Sequence, residues 1–195
     1  PKATKPTLEG IHRQEILLPR LEQARLLMGW VAPGVEQFRI SYGLDLLSVI
    51  LGGGRTSRLV SDLRENRQLV NGIYSSFSLQ KQSSLFTINA WLDSEKLEQV
   101  EELIRFHLHD LISREITEQE LSRAKRLLCN DYAFSTETPL QLAGLYGYYN
   151  TIASAEISVT YPSSIQSFDV QELQNIAYKY LSPDNYAVTV VKADE

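Results

Sequence analysis

The sequence predicts an α+β domain in which an antiparallel or mixed sheet is covered by helices. Apolar residues alternate with a period of two in some segments and recur at spacings of three and four in others, which distinguishes strands from helices. The predicted order is two strands, two helices, a hairpin, several helices and a final strand. That order is typical of helices packed on one sheet. A chain of 195 residues fits a single domain of this kind.

The composition excludes several classes of function. Hydrophobic residues make up 43% of the chain and charged residues 22%, and the formal net charge is −5. No basic face or stripe is evident, so we expect no binding of nucleic acid. Because no apolar run is long enough to span a bilayer, we expect no membrane span. Cys129 is the only cysteine, so no disulfide can form within the chain.

The first ten residues contain two prolines and read as a linker between domains or a frayed end. The expected domain division is therefore a linker over residues 1–10 and one domain over residues 11–195. The chain starts with Pro1, whereas a translation product starts with Met. We expect the chain to be a piece excised from a longer protein, so the sequence leaves its cellular compartment unassigned.

Five segments are predicted as strands. Residues 11–18 precede a Pro-Arg break, and residues 24–31 are apolar at both alternating sets of positions, which indicates a strand buried on both faces. Residues 69–79 and 85–92 alternate around a polar segment and predict a hairpin. Residues 186–191 form the last predicted strand.

Glycine and capping residues predict where the first helices begin and end. A helix over residues 37–50 is expected to end at three consecutive glycines, because glycine accepts the left-handed conformation found at helix ends. Thr56 or Ser57 is expected to cap a second helix that runs to Asn66.

The second half of the chain is mainly helical. Residues 94–113 carry an apolar stripe, and Thr117 with Glu120 predicts a capping box at the start of the next helix. Pro139 after Thr138 marks another start, since proline is tolerated at the first helical position. A short helix is predicted over residues 170–180.

The residues do not support a catalytic zinc site or any other catalytic residue in this chain. Such a site needs about three protein ligands. The only histidines are His12, His107 and His109, and the last two point roughly 200° apart on a predicted helix. There is no His-x-x-Glu-His motif and no cysteine pair. We expect both helical histidines to be half-exposed.

Two further candidates have plainer explanations. Cys129 lies among apolar residues on a predicted helix, which favours packing over catalysis. The segment of residues 52–57 superficially resembles a phosphate-binding loop. However, it lacks the Gly-Lys-Ser/Thr ending and follows a helix rather than a strand, so a turn between helices is the better interpretation.

The sequence leaves two interpretations open for each of two side-chain clusters. The tyrosines Tyr146, Tyr148 and Tyr149 are expected to pack in the core with polar tips, although a role in peptide binding is a second interpretation. The arginines are spaced three residues apart in two pairs, which favours a solvated helix face over a binding site. They are Arg55, Arg58, Arg64 and Arg67.

The order of several motifs resembles the second domain of pitrilysin/insulinase-family zinc metallopeptidases of the mitochondrial processing peptidase-like type. The run Leu-Gly-Gly-Gly-Arg-Thr-Ser-Arg-Leu at residues 51–59 is similar to that family's glycine turn and following helix. The segments at residues 63–69 and 73–76 follow in the family's order. Residues 24–33, 140–151 and 179–185 resemble its opening strand, a Tyr-Gly helix and its closing segment.

The resemblance implies a non-catalytic domain that helps to form a substrate chamber and is inactive on its own. In this family, homologous domains pair to enclose the chamber, and zinc lies in a companion domain with the His-x-x-Glu-His motif. The resemblance therefore implies a zinc-bearing companion domain, a peptide or presequence as substrate, and a homo- or heterodimer of the parent protein. No cofactor is expected in this chain.

The resemblance also implies two substrate-binding positions. The family uses an Arg and a Tyr seven positions apart to hold the substrate, and these fall on Arg64 and Asn71. Asn71 departs from the family pattern because its amide is shorter than a phenol. Tyr74 does not replace the tyrosine, since residues three apart on a strand point to opposite faces.

Two alternatives to a protease domain remain. The chain could come from a non-catalytic partner or scaffold subunit of the same family, or it could be a peptide-binding module without a hydrolytic parent. A His-x-x-Glu-His motif upstream of Pro1 would favour the protease over the partner.

Overall fold

A computed structural model describes residues 8–194 as one mixed five-stranded sheet with helices on one side. The strands are β1 (Ile11–Leu18), β2 (Ala24–Pro33), β3 (Gly72–Ser78), β4 (Ser83–Leu92) and β5 (Tyr186–Ala193). Their order across the sheet is β1-β5-β2-β4-β3. Only β1 and β5 are parallel, and the other three neighbouring pairs are antiparallel. The predicted α+β class is confirmed.

Seven α-helices complete the described part of the chain. They are α1 (Phe38–Gly52), α2 (Leu97–Ser113), α3 (Glu118–Phe134), α4 (Pro139–Ile152), α5 (Ala155–Val159), α6 (Tyr161–Gln166) and α7 (Val170–Tyr180). None of these helices is long and apolar enough to cross a membrane. The expected linker falls mostly on residues 1–7, which lie outside the described residues.

The helices cover only one face of the sheet. Along β4, Phe86, Ile88 and Ala90 are buried, whereas Leu85 on the opposite face is 44% exposed. Along β2, Leu27 on the same open face is 40% exposed. The expectation that β2 is buried on both faces was therefore wrong. Beyond Arg25, its open-face positions are apolar although no helix of the described residues covers them.

The turn after α1 depends on its glycines and on a distant arginine. A Cβ at Gly52 would lie 2.3 Å from the backbone nitrogen of Ser75, so α1 can pack tightly on β3 only with glycine there. Gly54 has a φ of 84°, in the left-handed region that favours glycine. Arg123 of α3 donates hydrogen bonds of 2.7 and 3.3 Å to the carbonyls of Gly53 and Val49. The Val49 carbonyl also accepts a 2.9 Å bond from the N–H of Gly53, so Arg123 mainly satisfies the Gly53 carbonyl beyond the end of α1.

The segment after this turn is wound more widely than predicted. Residues 60–66 form a π-helix (Val60–Asn66), in which the N–H of Arg67 donates to the carbonyl of Asp62 at 2.9 Å. The expected side-chain cap is also absent, because the Ser57 hydroxyl donates to the Gly54 carbonyl instead. Periodicity of Leu59 and Leu63 indicates a helix but does not separate an α- from a π-helix. π-Helical turns are rare and are frequent at functional sites.

The predicted start signals of the later helices are confirmed. Thr117 and Glu120 form the capping box of α3, and Thr138 with Gln141 forms another at the start of α4. The apolar stripe of α2 is buried throughout, at Leu97, Val100, Ile104, Leu108 and Leu111. The two short helices α5 and α6 were not predicted.

Candidate functional site

The two positions implied by the family resemblance both precede β3. Arg64 lies in the π-helical segment and its side chain is 37% exposed. Asn71 is exposed, and its backbone N–H donates to the Trp91 carbonyl at 2.8 Å, which anchors the start of β3 to β4. Tyr74 lies on the open face of the sheet, where its ring stacks on Trp91 at 5.4 Å.

A carboxylate shared by two arginines holds Arg64 in place. Nε and Nη2 of Arg64 lie 2.8 and 2.7 Å from Oε1 of Glu65. Oε2 of the same carboxylate accepts a 2.7 Å hydrogen bond from Arg55. The hydrogen bonds from Arg55 and Arg64 lower the pKa of Glu65 below its ordinary value. Two donor nitrogens of Arg64 are thus committed, while part of the guanidinium stays accessible.

Arg58 behaves differently from its neighbours because it is enclosed. Its side chain is only 14% exposed, and its Nε and Nη2 donate to the two carboxylate oxygens of Glu120 at 2.6 and 3.0 Å. Burial alone would raise the pKa of Glu120. The hydrogen bonds from Arg58 and from the Thr117 backbone outweigh that effect and lower it to about 2. Arg58 therefore joins the glycine turn to α3, and the expectation of a solvated face is wrong for this residue.

The last arginine of the cluster is part of a third ion-pair group. Arg67 donates to Oδ1 of Asp62 at 2.9 Å, and Nε2 of His107 lies 2.9 Å from Oδ2 of the same residue. Burial would raise the pKa of Asp62, but the bonds from Arg67 and His107 outweigh it and lower the pKa. His107 is 13% exposed rather than half-exposed as expected, because it packs against this carboxylate.

The histidines are not brought together. The ring of His12 is near the Glu9 carbonyl at 3.1 Å, on β1, whereas His107 and His109 lie on α2. Within residues 8–194, no group of three His, Cys, Asp or Glu side chains is arranged to hold a metal ion. Cys129 is partly buried against the core, with its Sγ 3.2 Å from Nε2 of Gln166.

The tyrosines of α4 divide between two environments. Tyr148 donates a 2.5 Å hydrogen bond to the Leu79 carbonyl, and Tyr149 lines a cavity beside α1 together with Asp45 and Tyr161. No sequence signal identified this cavity. Asp45 and Tyr161 are 116 residues apart, and the only hint in the sequence is that Asp45 is the single carboxylate of the mostly apolar helix α1.

Curated relatives of the chain are zinc proteases. The uncharacterized zinc protease YmxG of Bacillus subtilis is 34% identical over 138 residues, which are 70% of this chain and 34% of YmxG. The zinc protease PqqE of Helicobacter pylori is 28% identical over 166 residues, which are 83% of this chain and 37% of PqqE. The chain therefore spans about a third of the length of these relatives.

Solved structures share the fold. A protease from Helicobacter pylori superposes with a TM-score of 0.88 at 23% identity, covering 96% of this chain and 45% of that one. A peptidase M16 inactive domain from Pseudomonas fluorescens superposes with a TM-score of 0.81 at 24% identity, covering 100% and 47%.

The sequence also matches the family described as the peptidase M16 inactive domain, over residues 1–128. That match takes in β1 to α3, including the glycine turn, the arginine cluster and the hairpin that the motifs identified. Since it covers well over half of the 195 residues, the chain belongs to the family of the peptidase M16 inactive domain.

Proposed function

We propose that this chain is the accessory substrate-chamber domain of a zinc-dependent endopeptidase that cleaves peptides or presequences. The observation that carries the proposal is its membership of an inactive-domain family, together with its similarity to curated zinc proteases, about a third of whose length it matches. The catalytic zinc then belongs to a companion domain of the parent protein. This domain comprises residues 11–195, with residues 1–10 as the linker.

The open face of the sheet supports contact with the rest of the parent protein. Leu27, Leu85 and Tyr74 are each at least 40% exposed on that face, and Trp91 packs against Tyr74. Polar side chains such as Ser76 and Thr87 lie between them, and large exposed apolar side chains on a sheet face that no described helix covers are typical of a surface that is buried in an assembly. The companion domain is the partner that the family membership implies, and a homo- or heterodimer of the parent would enclose the chamber.

Within that chamber, Arg64 donates hydrogen bonds to a substrate carbonyl. Arginine stays charged at any working pH and offers several donors in a rigid fork. Its anchor on Glu65, which is shared with Arg55, supports a fixed orientation of the guanidinium. Asn71, exposed at the start of β3, is the second substrate-binding position and would donate through its amide.

The test compares Arg64→Ala with Arg67→Ala in the full-length parent. Both arginines are partly exposed and each pairs with a carboxylate, so the two changes disturb stability similarly. Loss of preorganised donors costs on the order of 10²–10³ in rate, so we expect Arg64→Ala to lower kcat/KM by that factor. Equal and small losses for both variants, at unchanged melting temperature, would exclude a substrate-binding role for Arg64.

The Asn at position 71 favours one second candidate, a non-catalytic partner or scaffold subunit of the same family. In that case the parent lacks a His-x-x-Glu-His motif and Asn71→Tyr changes no activity. If the chamber is active and limited by the missing phenol, Asn71→Tyr raises kcat/KM for a peptide substrate.

A further inference from the structure

The cavity beside α1 has walls from four elements of the domain. Its volume is about 280 Å³, which lies below the range of roughly 300–1,000 Å³ typical of drug-sized ligands, so it suits a smaller one. Residues of α1, β3, α4 and α6 line it, with Leu79 at the end of β3. The lining residues are Ser41, Tyr42, Asp45, Phe77, Ser78, Leu79, Tyr148, Tyr149 and Tyr161.

The cavity contains a carboxylate without a cationic partner. Oδ2 of Asp45 accepts a hydrogen bond from the Tyr161 hydroxyl, and no Lys or Arg within residues 8–194 forms an ion pair with Asp45. The charge that acts on it is that of Asp131, which has the same sign. Burial, helped by Asp131 and opposed by the Tyr161 bond, raises the pKa of Asp45 to about 6. Buried carboxylates are normally paired with a cation or a metal.

A second polar group in the cavity wall also lacks a partner. Ser41 is fully buried, and its Oγ has no hydrogen-bond partner in the part of the chain that the structure describes. By contrast, Ser48 lies two turns later on the same helix, and its hydroxyl donates to the Asp45 carbonyl at 2.7 Å. Buried hydroxyls are nearly always satisfied, so this hydroxyl is available to a polar group that enters the cavity.

Aromatic rings surround these two groups. The rings of Tyr42 and Tyr161 meet edge to face at 5.0 Å, and those of Tyr148 and Tyr149 do so at 5.9 Å. Tyrosine rings attract cations through the negative charge on their faces. An anion would be repelled by Asp45, and an apolar ligand would leave Asp45 without a cation and Ser41 without a hydrogen-bond partner.

We propose that this cavity binds a small organic cation, an alkylammonium or alkylguanidinium group, with Asp45 as its counter-ion. The tyrosine rings enclose the alkyl stem and the charged head, and Ser41 accepts a hydrogen bond from an N–H of the ligand. The site is separate from Arg64 and Asn71 and does not depend on the proposed peptidase role. The cation could be a free amine or a basic side chain of a peptide, which share this chemistry.

Titration of the chain with n-butylammonium, followed by the NMR signals of the tyrosine rings, tests the proposal. We expect saturable shifts with n-butylammonium and none with 1-butanol, which has a similar size but no charge. Asp45→Asn should weaken binding by about tenfold or more, since it removes the charge from the ion pair. Asp93→Asn is the matched control because Asp93 is an exposed carboxylate at the start of the segment before α2, and it should leave binding unchanged.

Two further measurements complete the test. Ser41→Ala should weaken binding by about tenfold, because it removes a hydrogen bond from the charged head of the ligand. A short capped peptide with a single lysine identifies the source of the cation: binding as tight as n-butylammonium indicates a peptide side chain, and binding of the free amine alone indicates a metabolite. Absence of saturable shifts, equal binding of 1-butanol, or unchanged binding by a folded Asp45→Asn variant would overturn the proposal.

Discussion

The arginine cluster (Arg55, Arg58, Arg64 and Arg67) and the tyrosine cavity beside α1 differ in how their charged groups are paired. In the cluster, every arginine faces a carboxylate of the same domain. In the cavity, Asp45 has only a tyrosine hydroxyl and Ser41 has no partner among the described residues. The domain satisfies its charges in the first region and leaves two polar groups unsatisfied in the second. Such groups cost stability, so each of them calls for an explanation, and the proposed cation site supplies one.

We expect the largest change in stability from removal of Arg58, in the arginine cluster. Arg58→Ala leaves Glu120 mostly enclosed without its cation, so we expect a loss of about 2–3 kcal/mol in the free energy of unfolding. Chemical denaturation measures this loss. Arg55→Ala is the control because Arg55 is 79% exposed, and it should cause no measurable loss.

The same ion pair predicts how the domain responds to acid. The pKa of Glu120 is about 2 in the folded state and ordinarily about 4.5, so the unfolded state binds the proton more tightly. The stabilisation is therefore present above pH about 4.5 and is lost as the pH falls towards about 2. In Arg58→Ala this part of the acid sensitivity should disappear, and an unchanged pH profile would contradict the assignment.

Asp45 should have the opposite effect on how stability depends on pH. Its pKa is about 6 in the folded state and ordinarily 3.8, so the folded state holds the proton more tightly and stability falls as the pH rises from about 4 to about 6. Asp45 keeps some accessible surface in the cavity, so we expect Asp45→Asn to stabilise the free protein by about 1–2 kcal/mol at neutral pH. The gain should vanish near pH 4, as thermal unfolding at both pH values can determine.

A destabilising effect of Asp45→Asn would remove the difference between the cavity and the arginine cluster. A loss of stability at neutral pH would mean that the carboxylate is satisfied in the free domain, and the cavity would then resemble the arginine cluster. A gain in stability together with weaker binding of n-butylammonium would mean that this position favours binding over stability.

Local signals in the sequence identified most of the architecture. Thr117 with Glu120 marks the start of α3, and the stripe on α2 is buried because its spacing follows the helical period. The open face of β2 was missed, since apolar residues such as Leu27 read as buried whether or not a helix covers them. The π-helical winding around Arg64 was missed because it depends on backbone hydrogen bonds that side-chain periodicity does not report.

The two candidate sites differ in how far the sequence predicts them. Arg64 and Asn71 followed from a family resemblance, and their role remains a prediction. The cavity could not be predicted, because Asp45 and Tyr161 lie far apart in sequence and meet only when α6 packs beside α1. A lone Asp within the apolar helix α1 is a weak signal by itself, since such a residue can also face solvent.

The smallest predicted effect is the difference in stability between two serine variants. One removes a hydroxyl that has a hydrogen-bond partner, and the other removes a hydroxyl that has none. Ser41 and Ser48 are both buried on α1, and both gain similar helix propensity when changed to alanine. Ser48→Ala removes a hydrogen bond to the Asp45 carbonyl, whereas Ser41→Ala removes a hydroxyl that has no partner within residues 8–194. We expect Ser41→Ala to be the more stable variant by about 1 kcal/mol, because an unsatisfied buried group costs free energy and a satisfied one does not. Denaturant unfolding of the two variants measures the difference without any ligand. Equal stabilities would mean that Ser41 already has a partner in solution, such as a bound water, and a ligand would then have to displace that water before it reaches Asp45.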